Sequence, residues 1–507
     1  VKASVPTPTR FRRFLAAGVL VGASVALAGS ASLANPSFEE AGDAPEGWGT
    51  SIGAQNGDGP DSAIAVDRTV ASQGTASLRL SGDEATRRWR MVEQDVNILP
   101  SERVTLRVAA RCRGVAPEGK QFANANAVLM FHTETGERRA LLGSPVLRGD
   151  REWTELVIDA IAPPDAKSAR VGLLLSMTGT LWFDDVRLER GPASAGERAG
   201  RQRAFDALAG HLRRTYPFFG MAGRPPADEL FARHRDRCIG AKDEVEFLNA
   251  VHAMLAELND VHVNVETARR RLPTAQPNPR PQNWNALAIA AQFTERTAYE
   301  KNVLLAGRIG TGANAIGCVV IGTFQLDDAG FARVTAAIDA LADTKALILD
   351  VRSNGGGDEK LAAQIAGRFT KSPIVYARAA WRDQLAAGTD GFELPINRVL
   401  EPVAPFDGRR VVVLQGPYCV SSTEGFLAMM RELPNVTTIG QPSRGASGNP
   451  GPFDLITGVK VWASRWRSLL PDGTCIEGKG IAPKIVVDAP HEKADPTFER
   501  ALAELRK

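Results

Sequence analysis

The stretch Ala346–Lys360, ALILDVRSNGGGDEK, starts as a short apolar run closed by an aspartate, turns through three consecutive glycines, and opens a charged helical pattern. A brief Leu/Ile run bounded by turn residues reads as a strand buried on both faces. Its surroundings repeat the alternation. AIGCVVIGTF, ALILDVR, RRVVVLQ and VTTIG read as strands, and FARVTAAIDALAD, EKLAAQIAGRF and TEGFLAMMREL as amphipathic helices between them. Strand and helix in turn predict an α/β domain over residues 283–490, with a mainly parallel sheet covered on both faces. In such a sheet, functional groups gather at the carboxyl ends of the strands.

Upstream, the pattern changes twice. FDALAGHLRRTYPFF, ADELFARHRDRC and KDEVEFLNAVHAMLAELND carry helical periodicity and predict a small helical domain over residues 200–272, closed by the proline-rich PTAQPNPRPQ. Residues 35–192 are built from alternating runs such as ASLRLSG, RVTLRVAARC, NAVLMFH, TELVIDA and ARVGLLLS, separated by Gly, Pro, Asp and Asn turns. That spacing predicts an all-β sandwich. GPASAGERAG, residues 191–200, reads as a linker.

Residues 1–34 combine the basic TRFRRF, the apolar LAAGVLVGASVALAG and the small-residue exit SASLA, which read as an export signal cleaved after Ala34. The expected location is periplasmic or extracellular, with no membrane span once the signal is removed. A chain of 507 residues is too long for one core. Removing the four basic residues of the leader leaves 57 basic against 58 acidic side chains, which gives no support to a nucleic-acid partner. Five scattered cysteines, with no CxxC and no HExxH, form neither a disulfide scaffold nor a zinc site. A bridge between Cys419 and Cys475 would tie two candidate loops together; two separate buried thiols are the equal alternative.

Two strand edges carry the chemistry. The Gly355–Gly357 turn exposes backbone N–H groups that could hold a developing oxyanion, or could simply connect a strand to a helix. YCVSSTEGF, from Tyr418, places Ser421, Ser422 and Thr423 where a strand returns as a helix. On the pattern alone these hydroxyls read as a helix cap, since Ser or Thr followed by Glu is also how helices start.

LILDVRSNGGG resembles the strand-turn LILDLRxNxGG of the C-terminal processing, or tail-specific, serine peptidase family, and SSTEGF resembles that family's S-A-S-E nucleophile turn. ELNDVHV is similar to its LxDxH, and LLPDGTCIEGKGIAPKI to its PDGxxxEGxGxxPD. The resemblance implies a ClpP/crotonase-like catalytic domain and a serine endopeptidase. It selects Ser421 as nucleophile and excludes the family's usual base lysine, because Ala446 stands at that position and Arg444 does not give up its proton. The tricorn-like branch, with Ser, His and Glu, is implied instead: His262 as general base and Glu477 as the acid that orients or polarises it. Asp260 then caps the turn before His262, and Glu424 its own helix. Gly355 or Gly356 and Ser422 would supply the oxyanion donors, with Arg352 and Asn354 as turn supports. No metal or organic cofactor is implied, and no room remains for a PDZ domain.

The ends of the sandwich, NPSFEEAGDAPEGW and LWFDDVRLER, look like the first and last strands of galactose-binding-like jelly-roll modules. That resemblance implies a glycan partner, with Trp48, Trp89, Trp153 or Trp182 as stacking surfaces and core packing as their default. The expected partner of the whole is a peptide or unfolded protein substrate. An esterase, or a binding protein on the same fold, is the alternative.

Overall fold

The computed structural model describes residues 33–40, 42–52, 63–82, 89–116, 124–221, 223–275, 282–300, 304–384, 391–489 and 494–507. The expected leader lies almost wholly outside them. Among the described residues, no helix is long and apolar enough to cross a membrane.

The N-terminal part contains two five-stranded antiparallel sheets. In Glu102–Ala116, the long strand ERVTLRVAARCRGVA, Val104, Leu106, Val108, Ala110 and Cys112 are buried and alternate with partly exposed residues. One face of the strand thus enters a core shared with Leu129, Phe131, Val171 and Phe183. Trp48 belongs to that core, and Trp182 gives its indole N–H to Asp67 with the Arg111 guanidinium over its ring. Trp89 is 41% exposed.

The stretch read as a linker is anchored at single residues and otherwise exposed. Ala195 and Gly200 are buried, and Arg201 donates to the carbonyls of Ala195 and Gly196. Helices Arg198–Thr215, Ala227–Ile239 and Glu244–Ala256 follow as the periodicity predicts. They do not close a core by themselves. Phe453, Leu455, Val459 and Val461 complete it, because strand Asn264–Thr267 pairs antiparallel with Val459–Ala463, which pairs with Gly451–Ile456. The expected continuous domain from 283 to 490 therefore lends one hairpin to the helical unit. Two short strands nearly two hundred residues apart leave no local signal of their pairing. The sandwich meets the same hairpin, with Arg103 donating to the carbonyls of Asp454 and Leu455.

The central sheet has seven strands, in the order Glu295–Glu300, Leu304–Ile309, Ile316–Ile321, Ala346–Asp350, Arg410–Gln415, Val436–Gly440 and Ile485–Val486. The first two are antiparallel additions, and from Ile316 onward the pairing is parallel. Alternate residues serve opposite cores, as a strand's period of two requires. Leu347, Leu349, Val411 and Val413 pack under helices Asp328–Asp339, Glu359–Ala366 and Ser422–Arg431. Ala346, Ile348, Val412 and Leu414 pack against Phe498, Ala501 and Leu502 of the C-terminal helix Pro496–Arg506.

Strands Ala346–Asp350 and Arg410–Gln415 are parallel neighbours in register, Asp350 opposite Leu414. Their carboxyl ends therefore lie side by side. The glycine turn and the hydroxyl row leave the sheet together.

Candidate active site

Arg352, fully buried, anchors the end of the first strand. Its guanidinium grips Asp350 through Nε and Nη2 at 3.0 and 2.7 Å, and its Nη1 donates to Asp495 at 2.8 Å and to the Asn283 carbonyl at 2.6 Å. Asn354, also buried, stitches the turn. Its amide donates to the Ile321 carbonyl, while its Oδ1 accepts from Gly356 N–H at 2.8 Å and from the Thr423 hydroxyl at 2.7 Å. Both act as turn supports.

Gly356 has φ +100°, and a Cβ there would stand 2.9 Å from the Val420 carbonyl and 3.0 Å from Ser421 Cβ. Only a glycine lets the turn lie this close to the serine. Its amide is committed to Asn354, which corrects its assignment as an oxyanion donor. The amides of Gly355 and Ser422 carry no hydrogen bond among the described residues, but Gly355 lies off the cavity wall. Gly357, the last residue of the expected turn but not among the donors singled out, bridges Phe324 through the flanking groups, Phe324 N–H to Gly356 O and Asp358 N–H to Phe324 O; its own amide carries no hydrogen bond among the described residues, and the residue lines the cavity. The parallel bridge that frees this amide has no sequence signal.

The three hydroxyls separate cleanly. Ser422 Oγ donates to the Gly357 carbonyl at 2.6 Å, and Thr423 Oγ1 to Asn354. Ser421 stands at the N-cap position of helix Ser422–Arg431, yet its side chain makes no capping bond. Its φ of +59° and ψ of −126° are unusual for a residue with a Cβ. It lines an open cavity of about 860 Å³ together with Ser422, Gly357, Tyr376, Arg398 and Trp466.

Glu424 does not cap its own helix. It is fully buried, and its carboxylate accepts from the Ser443 hydroxyl and Gly445 N–H, both at 2.6 Å, and from Ala446 N–H at 2.8 Å. Burial pushes this carboxyl up, against the pull of those donors. The loop it grips carries Ala446, whose carbonyl accepts the Ser421 N–H at 2.9 Å. Glu424 thus fixes the serine's backbone from behind.

His262 follows an Asx turn, its N–H bonded to Asp260 Oδ1 at 2.8 Å, as the capping role of Asp260 requires. Its Nδ1 is buried without a hydrogen-bond partner among the described residues and lies 3.7 Å from Asp260 Oδ1. Burial holds the imidazole below its ordinary value of 6.5, Asp260 opposes that, and Arg444 adds to it. No hydrogen bond joins His262 to Ser421 or to Glu477. Glu477 instead pairs with Arg224 Nη2 at 2.7 Å, and burial with the nearby Asp260 charge raises its carboxyl to about 8. The Glu477–imidazole contact expected from the motif is thus replaced by an ion pair to a residue 253 positions upstream. Cys419 and Cys475 are unbridged; the buried Cys419 thiol donates to the Val351 carbonyl at 3.2 Å.

Residues 315–487 match the model of Peptidase family S41. The matched segment holds the glycine turn, Ser421 and Glu477 but not His262. The CtpA-like serine proteases of Staphylococcus aureus strains COL and MW2 are 26% identical over 177 residues, 34% of this chain and 34% of theirs. The chain thus spans about a third of the length of the curated relatives it matches. The crystal structure of a candidate peptidase from Parabacteroides merdae ATCC 43184 is 26% identical, covers 61% of this chain and 97% of its own, and superposes with a TM-score of 0.51. Together the family model and the curated relatives link this segment to serine-type peptidases.

Proposed function

We propose that the chain hydrolyses peptide bonds through an acyl-enzyme on Ser421. One observation carries the reading: of three consecutive hydroxyls at the strand–helix junction, that of Ser421 alone carries no hydrogen bond among the described residues, and Ser421 lines the cavity beside the glycine turn. Ser421 Oγ attacks the carbonyl carbon as His262 Nε2 takes its proton. The imidazolium returns that proton to the leaving amine, and water repeats the cycle to release the acid. Neutral imidazole is favoured by its burial, and Nε2 carries no hydrogen bond among the described residues, which leaves it free to act as base. The Ser421–His262 contact closes on substrate, as loose geometry in an unliganded site allows. Negative charge on the tetrahedral oxygen is met by the N–H groups of Ser422 and Gly357. One such donor is typically worth about 3 kcal/mol.

The substrate is a peptide or an unfolded segment, the class to which the serine-peptidase matches point. Export rests on the composition of residues 1–34, and glycan binding on the resemblance of the sandwich ends; fractionation of the expressing cell and a glycan pull-down with the full chain test them. The unjoined Ser421 and His262 favour a second reading, a binding protein on this fold. Labelling the folded chain with a fluorophosphonate probe decides between them. Labelling should be lost in Ser421→Ala, strongly reduced in His262→Ala, and retained in Ser422→Ala. An unlabelled wild type rejects the activated serine and leaves the binding protein.

A further inference from the structure

We propose that Asp260, rather than Glu477, orients the His262 imidazole and holds its proton on Nδ1, a positioning role that rests on the Ser421–His262 reading above. Asp260 Oδ1 already accepts the His262 backbone N–H, and it is the carboxylate oxygen facing Nδ1, at 3.7 Å. A closure of about 0.7 Å brings that pair into hydrogen-bond range. Among the described residues nothing else competes for Nδ1, which is buried and unpartnered.

The carboxylate is itself held. Oδ2 accepts from Ser464 Oγ at 2.8 Å and from the Tyr216 hydroxyl at 3.2 Å, and Asp260 is only 1% exposed. These two bonds come from separate parts of the chain, and with the His262 N–H on Oδ1 they fix the carboxylate while the imidazole ring is the free partner. Glu477 is engaged elsewhere, by Arg224, whose Nε also donates to the Leu258 carbonyl.

With Nδ1–H directed at Asp260, Nε2 carries the lone pair that takes the Ser421 proton. As the Oγ–carbon bond forms, that proton moves to Nε2 and the ring becomes cationic. The Asp260 charge offsets it across a short distance, and when Nε2 gives the proton to the leaving nitrogen the ring returns to its starting tautomer. The charged groups around this ring are Asp260 and Arg444, with Glu477 and Arg224 beyond Asp260; the Tyr216 hydroxyl, a titratable neutral group, completes the set.

The test is imidazole nitrogen NMR of the full chain with labelled histidine, titrated with pH, alongside fluorophosphonate labelling rates. Wild type should show the Nδ1–H tautomer at His262. Asp260→Asn, which keeps an acceptor for the backbone N–H, should lower both the His262 pKa and the midpoint of the labelling profile and slow labelling at least tenfold. Glu477→Gln should leave both midpoints in place. An Nε2–H tautomer in wild type, or a His262 pKa unmoved by Asp260→Asn, overturns the inference whether or not Ser421 labels. Absent labelling with the Asp260–His262 coupling intact overturns only the base reading. Where Asp260→Asn does not fold, Ser464→Ala replaces it. That variant changes the His262 pKa or tautomer ratio if Asp260 orients the ring, and leaves both unmoved if it does not.

Discussion

Replacing Glu424 by glutamine swaps one carboxylate oxygen for an NH₂ group in a site built wholly of donors. Oε1 takes the Ser443 hydroxyl and Gly445 N–H, and Oε2 takes Ala446 N–H. The amide oxygen of glutamine can keep one side, and the better-occupied side is that of Ser443 and Gly445. The NH₂ group then faces Ala446 N–H, donor against donor. A buried donor left without its acceptor costs about 1–3 kcal/mol, so Glu424→Gln should destabilise the fold by about 2 kcal/mol. Glu424→Ala abandons all three donors and should cost about 3–9 kcal/mol, comparable to the whole stability of many domains. The glutamine variant is therefore the informative one. Ala446 also holds the Ser421 N–H through its carbonyl, so its loosening reaches the serine directly. A displacement of the nucleophile near 1 Å typically costs about a hundredfold in rate. Urea unfolding should show a lower midpoint at unchanged slope, and fluorophosphonate labelling, measured where the variant is fully folded, should be ten- to a hundredfold slower. A variant with a lower midpoint but wild-type labelling would show that the loop supports the fold without positioning the serine. Wild-type values for both would refute the reasoning.

Gly356→Ala forces a Cβ against the Val420 carbonyl and Ser421 Cβ at a φ of +100°, a strain of about 1–3 kcal/mol; it should slow labelling at least tenfold, and wild-type labelling would place the turn further from the serine than described. Arg352→Met leaves Asp350 and Asp495 as buried carboxylates without their cation, so chemical denaturation should report a loss of about 3–5 kcal/mol, against none if the ion pairs are dispensable. Labelling should rise with pH through a midpoint below 6.5, because burial and Arg444 both favour the neutral imidazole proposed as base, and reactivity is lost as pH falls through that midpoint. Arg444→Gln removes a repelling positive charge and should move the midpoint up; a downward or absent shift contradicts that electrostatic role.

Whatever is periodic in this chain is legible in its sequence alone. Leu347 and Leu349 on one face and Ile348 on the other announce a doubly buried strand, and three glycines announce the turn that follows it. The hydroxyl row marks the junction but cannot rank its own members. What distinguishes Ser421 from Ser422 and Thr423 is that the latter two are tied to Gly357 and Asn354, residues about seventy positions upstream. Glu424 shows the same limit. Its place three residues after a serine reads as a capping box, yet its donors lie at Ser443, Gly445 and Ala446. Glu477 shows that limit too: it sits in the motif, but Arg224 holds it, and the carboxylate beside His262 comes from the histidine's own turn, pinned by Ser464 across 204 residues. Local pattern declares which face of an element is buried. Which acceptor a buried donor finds is decided by the fold as a whole, because the desolvation cost of an unpaired group is met by whatever partner packing brings near. Chemistry that depends on orientation, such as the tautomer of one histidine, therefore rests on the long-range bonds that hold Asp260 as much as on the motif that sets it beside His262.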